Sequence, residues 1–297
     1  MSHNTIMNHM SRIRDISELG IPDHLIGLSP FKSESEAIGW ENELIELFSS
    51  CYQLFTPFPE YFRTRTLEHR LLRQLAPDYL GIHKRYRKGL EIGCGYGFKS
   101  IILARNFDSL LGIDIPVKFK GYVRGNFENS IAVAQEVGRQ FGIKNTQFSA
   151  MWPTELQIEN SSISLIFSEY VLEHIPDLVG GIREMYRVLE PGGLMIHVVP
   201  TTVDPVLTFI RSQLKFSPLR LCAALLHTLI RKRRGHRLTY HGLYVPPAHS
   251  EHLHEYSKQF DLNSLEGMAF PMLEAGFRIE KIISTREHNR VIFARKE

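Results

Sequence analysis

The sequence predicts an α/β protein built on a doubly wound, mostly parallel sheet of seven strands, a Rossmann-like architecture. Three observations lead there. From Lys88 to Pro200 short apolar runs alternate with segments of helical periodicity. The first of these runs opens into three glycines at alternate positions, in "LEIGCGYGF". The chain then closes on two strand-like runs, "RIEKIIS" and "NRVIFAR", joined by a short polar turn that suits antiparallel neighbours.

The elements follow in order. "SESEAIGWENELIELFSSCYQLF" places Ile38, Leu44, Ile45 and Phe48 at helical spacing, "TPFPEYF" interrupts it with two prolines, and "TRTLEHRLLRQLAP" resumes as a helix stopped by Pro77. These helices either cover a pocket or pad the core. "GLEI" is a first strand, "FKSIILAR" a helix and "SLLGID" a second strand. "NSIAVAQEVGRQFG" is a helix begun by Asn129 or Ser130 and ended by Gly142. "TQFS" and "ISLIFS" are the third and fourth strands, the latter apolar enough for burial on both faces. "LVGGIREMYRVLEPGG" is a helix closed by a Pro-Gly-Gly turn, and "LMIHVVP" is the fifth strand. "SLEGMAFPMLEAGF" is the last helix. The expected organisation is an N-terminal helical extension over 1–79, a core over 80–200, a basic insertion over 201–256, and the closing helix and strands over 257–297.

Composition narrows the function. The 297 residues are 43% hydrophobic and 23% charged, ordinary for a globular chain. Cys51, Cys94 and Cys222 are odd in number and far apart, which predicts neither a disulfide framework nor a zinc site and suits a reducing cytoplasm. The polar N-terminus has no signal-peptide pattern, and no apolar run reaches the ~18 residues of a membrane span. Charge is uneven: Pro205 to Ser250 has no Asp or Glu but holds eight Lys or Arg, including Arg231, Lys232, Arg233 and Arg234.

The glycine loop selects among ligands. A dinucleotide fingerprint needs its third glycine at the position Phe98 occupies, and no Gly-Lys-Ser/Thr ending marks a P-loop. Glu91, at the end of the first strand, would repel a pyrophosphate but suits a cationic or amine-bearing ligand. Asp114 ends the second strand about 20 residues after Gly93, where a carboxylate can accept bonds from both ribose hydroxyls. A ribonucleoside whose far end is not a phosphate fits, and S-adenosylmethionine is such a molecule.

With "LEIGCGYG", "LLGIDI" and "SLIFSEYVLEHIPDLVGGIREMYRVLEPGGLMIHVVP", the chain resembles the class I S-adenosylmethionine-dependent methyltransferases, and "EAGFRIEKI" matches their last helix and sixth strand. The resemblance implies that Glu91, Gly93, Cys94, Gly95 and Gly97 line the methionine and ribose side of the cofactor. It implies that Asp114 takes the ribose hydroxyls, that Ile115 packs on adenine, and that Ser168 and Glu169 face the methionine part and the acceptor. Two departures stand out. Trp152 occupies the place of the usual acid near the adenine amine, where it could stack on the base, and Ile163-Ser164 replaces the usual aromatic-Asp pair.

For a hydroxyl acceptor the best placed base is His174 in "VLEHIPD"; the alternative is that it packs or bonds the backbone. His249, His252 and His254 supply a lid contact, metal ligands or a solvated turn, and no metal site is expected. The stretch 211–237 is an interfacial helix on an anionic membrane, a lid, or an anion site for a phosphorylated acceptor. Nucleic acid is not an expected partner, since the patch lacks interleaved aromatics. "TYHGLYVPPAHSEHLHEYSKQF" resembles family members from cell-surface polysaccharide biosynthesis, which ranks a sugar or glycan hydroxyl first as acceptor. A lipid-like ring compound such as a quinone comes second. A protein that binds the cofactor without catalysis is the reading of another class. The expected location is the cytoplasm, with peripheral contact to the inner face of the membrane as an extension.

Overall fold

The computed structural model describes residues 31–52, 66, 70, 72–73, 76–81, 83–115, 129–175, 177–200, 265–284 and 289–297. The basic insertion, with the 211–237 stretch and His249, His252 and His254, lies outside the described residues.

Helix α1 (Glu34–Tyr52) and the short α2 (Pro77–Leu80) precede strand β1 (Tyr86–Ile92). Then come α3 (Phe98–Leu103), running into a 3-10 turn at Ala104–Asn106, β2 (Phe107–Asp114), α4 (Ser130–Gln140) and β3 (Thr146–Ala150). β4 (Ile163–Glu169), a 3-10 turn (Leu172–His174), α5 (Leu178–Val188) and β5 (Leu189–Pro200) follow. α6 (Leu265–Glu274), β6 (Phe277–Ser284) and β7 (Asn289–Lys296) end the chain. The seven strands form one sheet in the order β3-β2-β1-β4-β5-β7-β6. The first five are parallel, and β7 runs antiparallel to both β5 and β6, as the short turn between the last two runs predicted.

Local sequence explains the boundaries. Every residue of β4 is buried, its apolar run together with Ser164, Ser168 and Glu169. Asn129 caps α4 by accepting from Ala132 N at 3.1 Å, and Asp177 caps α5 by accepting from Gly180 N at 2.9 Å. The Pro-Gly-Gly turn expected after α5 is instead absorbed into β5. Leu189 pairs with Ile163 and Leu194 with Leu165, so the partner register slips across Glu190–Gly193, with Gly192 at φ 76°. The Ile163-Ser164 departure also has a structural reason. Ser164 Oγ accepts from Lys88 N and donates to Lys88 O, both at 2.9 Å, and so extends the β1–β4 ladder by a side chain.

One face of the sheet carries Leu90, Ile92, Ile113, Ile166 and Ile292 under α5 and α6. The other carries Leu110, Leu165, Phe167, Ile196 and Phe293, packed with Leu72, Ala76, Leu80 and Leu103. α1 adds Trp40, Leu44 and Phe48 to a cluster with Phe98, Ile101, Val137 and Phe148, with the Phe48 and Phe98 rings 4.8 Å apart edge to face. The N-terminal helix is therefore anchored on the helix that leaves the glycine loop. The chain runs outward from β1 through β2 to β3, then crosses back to β4 on the other side of β1. This makes the carboxyl ends of β1 and β4 the switch point, where open α/β sheets bind ligands.

Candidate active site

The register lines up the charged ends of the strands. Glu91 is level with Gly112 on β2 and with Phe167 on β4. Two residues further on, Asp114 and Glu169 therefore stand on either side of Gly93, on the face that carries α3.

The loop between β1 and α3 is held at several points. Gly93 N and Cys94 N both donate to Ile113 O, at 2.8 and 2.9 Å, and Gly97 N donates to Cys94 O at 2.9 Å. Gly93, Gly95 and Gly97 all have positive φ, at 73°, 53° and 80°. At Gly93 a Cβ would lie 2.3 Å from Val171 Cγ2. Gly93→Ala is expected to cost about 1–3 kcal/mol of stability, from a left-handed backbone and a side-chain clash together, read as a lower urea midpoint. An unchanged midpoint would refute this account of the glycine.

Asp114 is tied into the loop. Its Oδ2 accepts from Gly95 N at 3.0 Å and from Ser130 Oγ at 3.3 Å, and its Oδ1 accepts from Ile115 N at 2.8 Å. Burial nevertheless holds its pKa above the usual carboxylate value, with these bonds opposing the rise. Glu91 is buried too. Burial raises its pKa, the Lys99 charge and a hydrogen bond from Ser100 Oγ oppose that, and the Asp114 charge adds to it. Lys99 forms a buried ion pair with Glu169. The Cys94 thiol is buried and pushed well above its ordinary pKa, which makes it an inert packing group in the loop.

The remaining expected residues lie around this corner. Ile115 is half-buried beside Asp114. Trp152 follows β3, whose continuation at Met151 N donates to Asp114 O at 2.9 Å, and its side chain is 43% exposed. The segment after Trp152 is fixed by α5. Glu184 accepts from Leu156 N at 2.9 Å, and Arg187 donates to Leu156 O and Ile158 O, each at 2.8 Å. His174 is exposed on the 3-10 turn just beyond β4. Ser168 is level with Ile92 and buried, and its Oγ lies 2.6 Å from Nδ1 of the buried His197 on β5.

Sequence reading did not single out Lys99, Ser100 or His197, and it named Ser130 only as a helix start. A lysine inside the apolar run "FKSIIL" was the one available signal, since a charge there must find a buried partner. Among the described residues no group of three or more His, Cys, Asp or Glu could hold a metal, and no helix is long and apolar enough to cross a membrane.

Comparison with known proteins bears on this geometry. Residues 90–197 match the model of a family described as a methyltransferase domain. This segment is similar to methyltransferase domains. The match runs from within β1 to His197 on β5, so it takes in the glycine loop, Asp114, β4 and α5. Among curated relatives, demethylmenaquinone methyltransferase of Staphylococcus aureus (strain MRSA252) is 26% identical over 132 residues, 43% of this chain and 49% of that protein. The chloroplastic tocopherol O-methyltransferase of Arabidopsis thaliana is 30% identical over 117 residues, 39% of this chain and 30% of that protein. The chain thus spans half or less of the length of these relatives. The crystal structure of the PH0226 protein from Pyrococcus horikoshii OT3 shares the fold, with a TM-score of 0.51 and 16% identity over 83% of this chain and 98% of that one.

S-adenosylmethionine is the cofactor that the resemblance of the glycine loop implies, and the likeness of residues 90–197 to a methyltransferase domain agrees with it. The residues present fit it. Gly93, Gly95 and Gly97 hold the loop in left-handed backbone, Gly93 packed against Val171 and Gly97 against Phe148, beside the Glu91 and Asp114 carboxylates. Burial disfavours both carboxylates in their charged form, so a ligand bringing a cation and hydroxyl donors improves their surroundings.

Proposed function

We propose that the chain is an S-adenosylmethionine-dependent methyltransferase acting on a hydroxyl of a sugar or glycan intermediate. The observation that carries the methyltransferase reading is Asp114 bonded to Gly95 N inside a left-handed glycine loop at the switch point of the sheet. Bound there, S-adenosylmethionine supplies an electrophilic methyl group on a sulfonium. Glu91, Gly93, Cys94, Gly95 and Gly97 hold the methionine and ribose side, Asp114 the ribose hydroxyls, and Ile115 and Trp152 the adenine. Glu169 closes the methionine end, and Ser168 contributes there only through its backbone, because its hydroxyl is turned to His197 on the other face of the sheet. An exposed aromatic is well suited to the adenine edge, because a base face gains from stacking without needing a charge. His174, exposed beyond β4, takes the proton from the acceptor hydroxyl, a role an imidazole can play near neutral pH. The sugar as acceptor is supported by the resemblance of the 239–260 stretch to proteins of polysaccharide biosynthesis.

A second acceptor has its own support. Two of the relatives are named for methylating demethylmenaquinone and tocopherol, which favours a lipid-like ring compound. Calorimetry should show S-adenosylmethionine binding and no NAD binding; the reverse would refute the reading. Labelled methyl transfer to a sugar-nucleotide and lipid-linked sugar panel supports the first acceptor, and transfer to a quinone panel the second. With the right acceptor, His174→Ala is expected to slow transfer about 100-fold or more while cofactor affinity is kept. Equal rates would remove His174 from the mechanism.

A further inference from the structure

We infer that the Lys99–Glu169 ion pair is a placeholder: Lys99 recognises the α-carboxylate of the cofactor's amino-acid tail and leaves Glu169 to do so. The inference rests on the methyltransferase reading and adds to it a device that the fold class does not require.

Three features point this way. Lys99 follows the glycine loop directly, in the first turn of α3, yet its side chain is only 7% exposed. Burying an ammonium is costly unless it is paired, so a lysine in this place needs a partner. The partner is Glu169, itself buried, at the carboxyl end of β4. Secondly, Lys99 does not serve Glu169 alone. Its charge is also the largest influence opposing the rise in the Glu91 pKa, so one ammonium stands between two carboxylates of adjacent strands. Thirdly, Asp114 raises the Glu91 pKa further, so this corner is short of positive charge.

An amino-acid tail corrects that shortage only if its two charges are sorted. Its ammonium is drawn to Glu91. Its carboxylate would be repelled by Glu91 and Glu169, and Lys99 is the cation available among the residues that define the corner. When Lys99 turns to the incoming carboxylate, Glu169 gives up this ion pair at the end of β4 that faces the acceptor. There it can accept a hydrogen bond from an acceptor hydroxyl. Cofactor binding therefore prepares the acceptor side, and the order is donor first.

The test compares two ligands that differ by the carboxylate alone: S-adenosylhomocysteine and its decarboxylated analogue, S-adenosyl-3-thiopropylamine. Calorimetry on the full chain should show wild type preferring the former. Lys99→Met should weaken S-adenosylhomocysteine about tenfold and leave the analogue within about twofold. Glu169→Gln should widen the preference for S-adenosylhomocysteine over the analogue, because the competitor for Lys99 has lost its charge. A merely structural ion pair would not give effects of opposite sign. Lys99→Met takes the cation out of a buried ion pair and can destabilise the fold. The double variant Lys99→Met/Glu169→Gln removes both charges, and it too should lose the preference for the carboxylate. Equal losses for both ligands, or a preference that Glu169→Gln does not widen, would overturn the inference while the cofactor assignment stands. Wild type that binds neither ligand would sink both.

Discussion

Asp114→Ala is expected to weaken S-adenosylmethionine binding about tenfold or more. The carboxylate stands where the ribose is to be held, and it also organises the loop, by accepting from Gly95 N, Ile115 N and Ser130 Oγ. Removing it deletes the acceptor for the hydroxyls and leaves those three donors without this partner. Asp114→Asn separates the two roles. It keeps an oxygen for the loop but presents an amide where the hydroxyls need an acceptor, so affinity should fall with little change in melting temperature. If both variants bind within twofold of wild type, Asp114 is not the ribose ligand.

The second large effect is a loss of stability in mild acid set by His197. Burial on β5 lowers its pKa to about 3, against an ordinary value near 6.5. Nε2 lies 3.5 Å from the Met195 sulfur, which has no proton to give, so the ring proton sits on Nε2 and Nδ1 accepts from Ser168 Oγ. The folded state keeps the ring neutral, whereas the unfolded chain protonates it below about pH 6.5. The unfolded state then binds more protons, so stability falls as pH drops from 6.5 towards 3. At pH 5 the loss attributable to His197 is about 2 kcal/mol. Glu91 and Asp114 act in the opposite direction. Their raised folded-state pKa values mean that the folded chain binds more protons than the unfolded one as acid is added, which favours folding. The comparison must therefore be made against His197→Gln, which keeps an acceptor for Ser168 and leaves both carboxylates in place. Urea midpoints at pH 7.5 and pH 5 should fall further apart in wild type than in the variant. Parallel shifts would show that His197 is not the group responsible.

How much of this was legible beforehand depends on the range of the interactions. The sheet could be read because each strand declares itself locally: "ISLIFS" is an apolar run and becomes a fully buried central strand. The glycine loop and Asp114 could be read for the same reason, since left-handed turns demand glycine and a carboxylate ending the next strand about 20 residues on marks a ribose-binding position. The start of β5 was not legible, because a Pro-Gly-Gly string signals a turn, whereas here pairing with Ile163 draws the strand back to Leu189. Ser164 stands out in the sequence as a departure from the usual pair, and only its bonds to Lys88 give the structural reason.

The sequence by itself determined the fold class, the switch point and the residues that ring the glycine loop, because these follow from local periodicity, backbone conformation and strand order. Only the tertiary structure decided that Lys99 pairs with Glu169, that Ser168 is held by His197, and that α5 pins the segment behind Trp152. Those pairs join residues on different strands and helices. A buried charge or hydroxyl announces that it needs a partner, but only the packed sheet says which partner lies within reach.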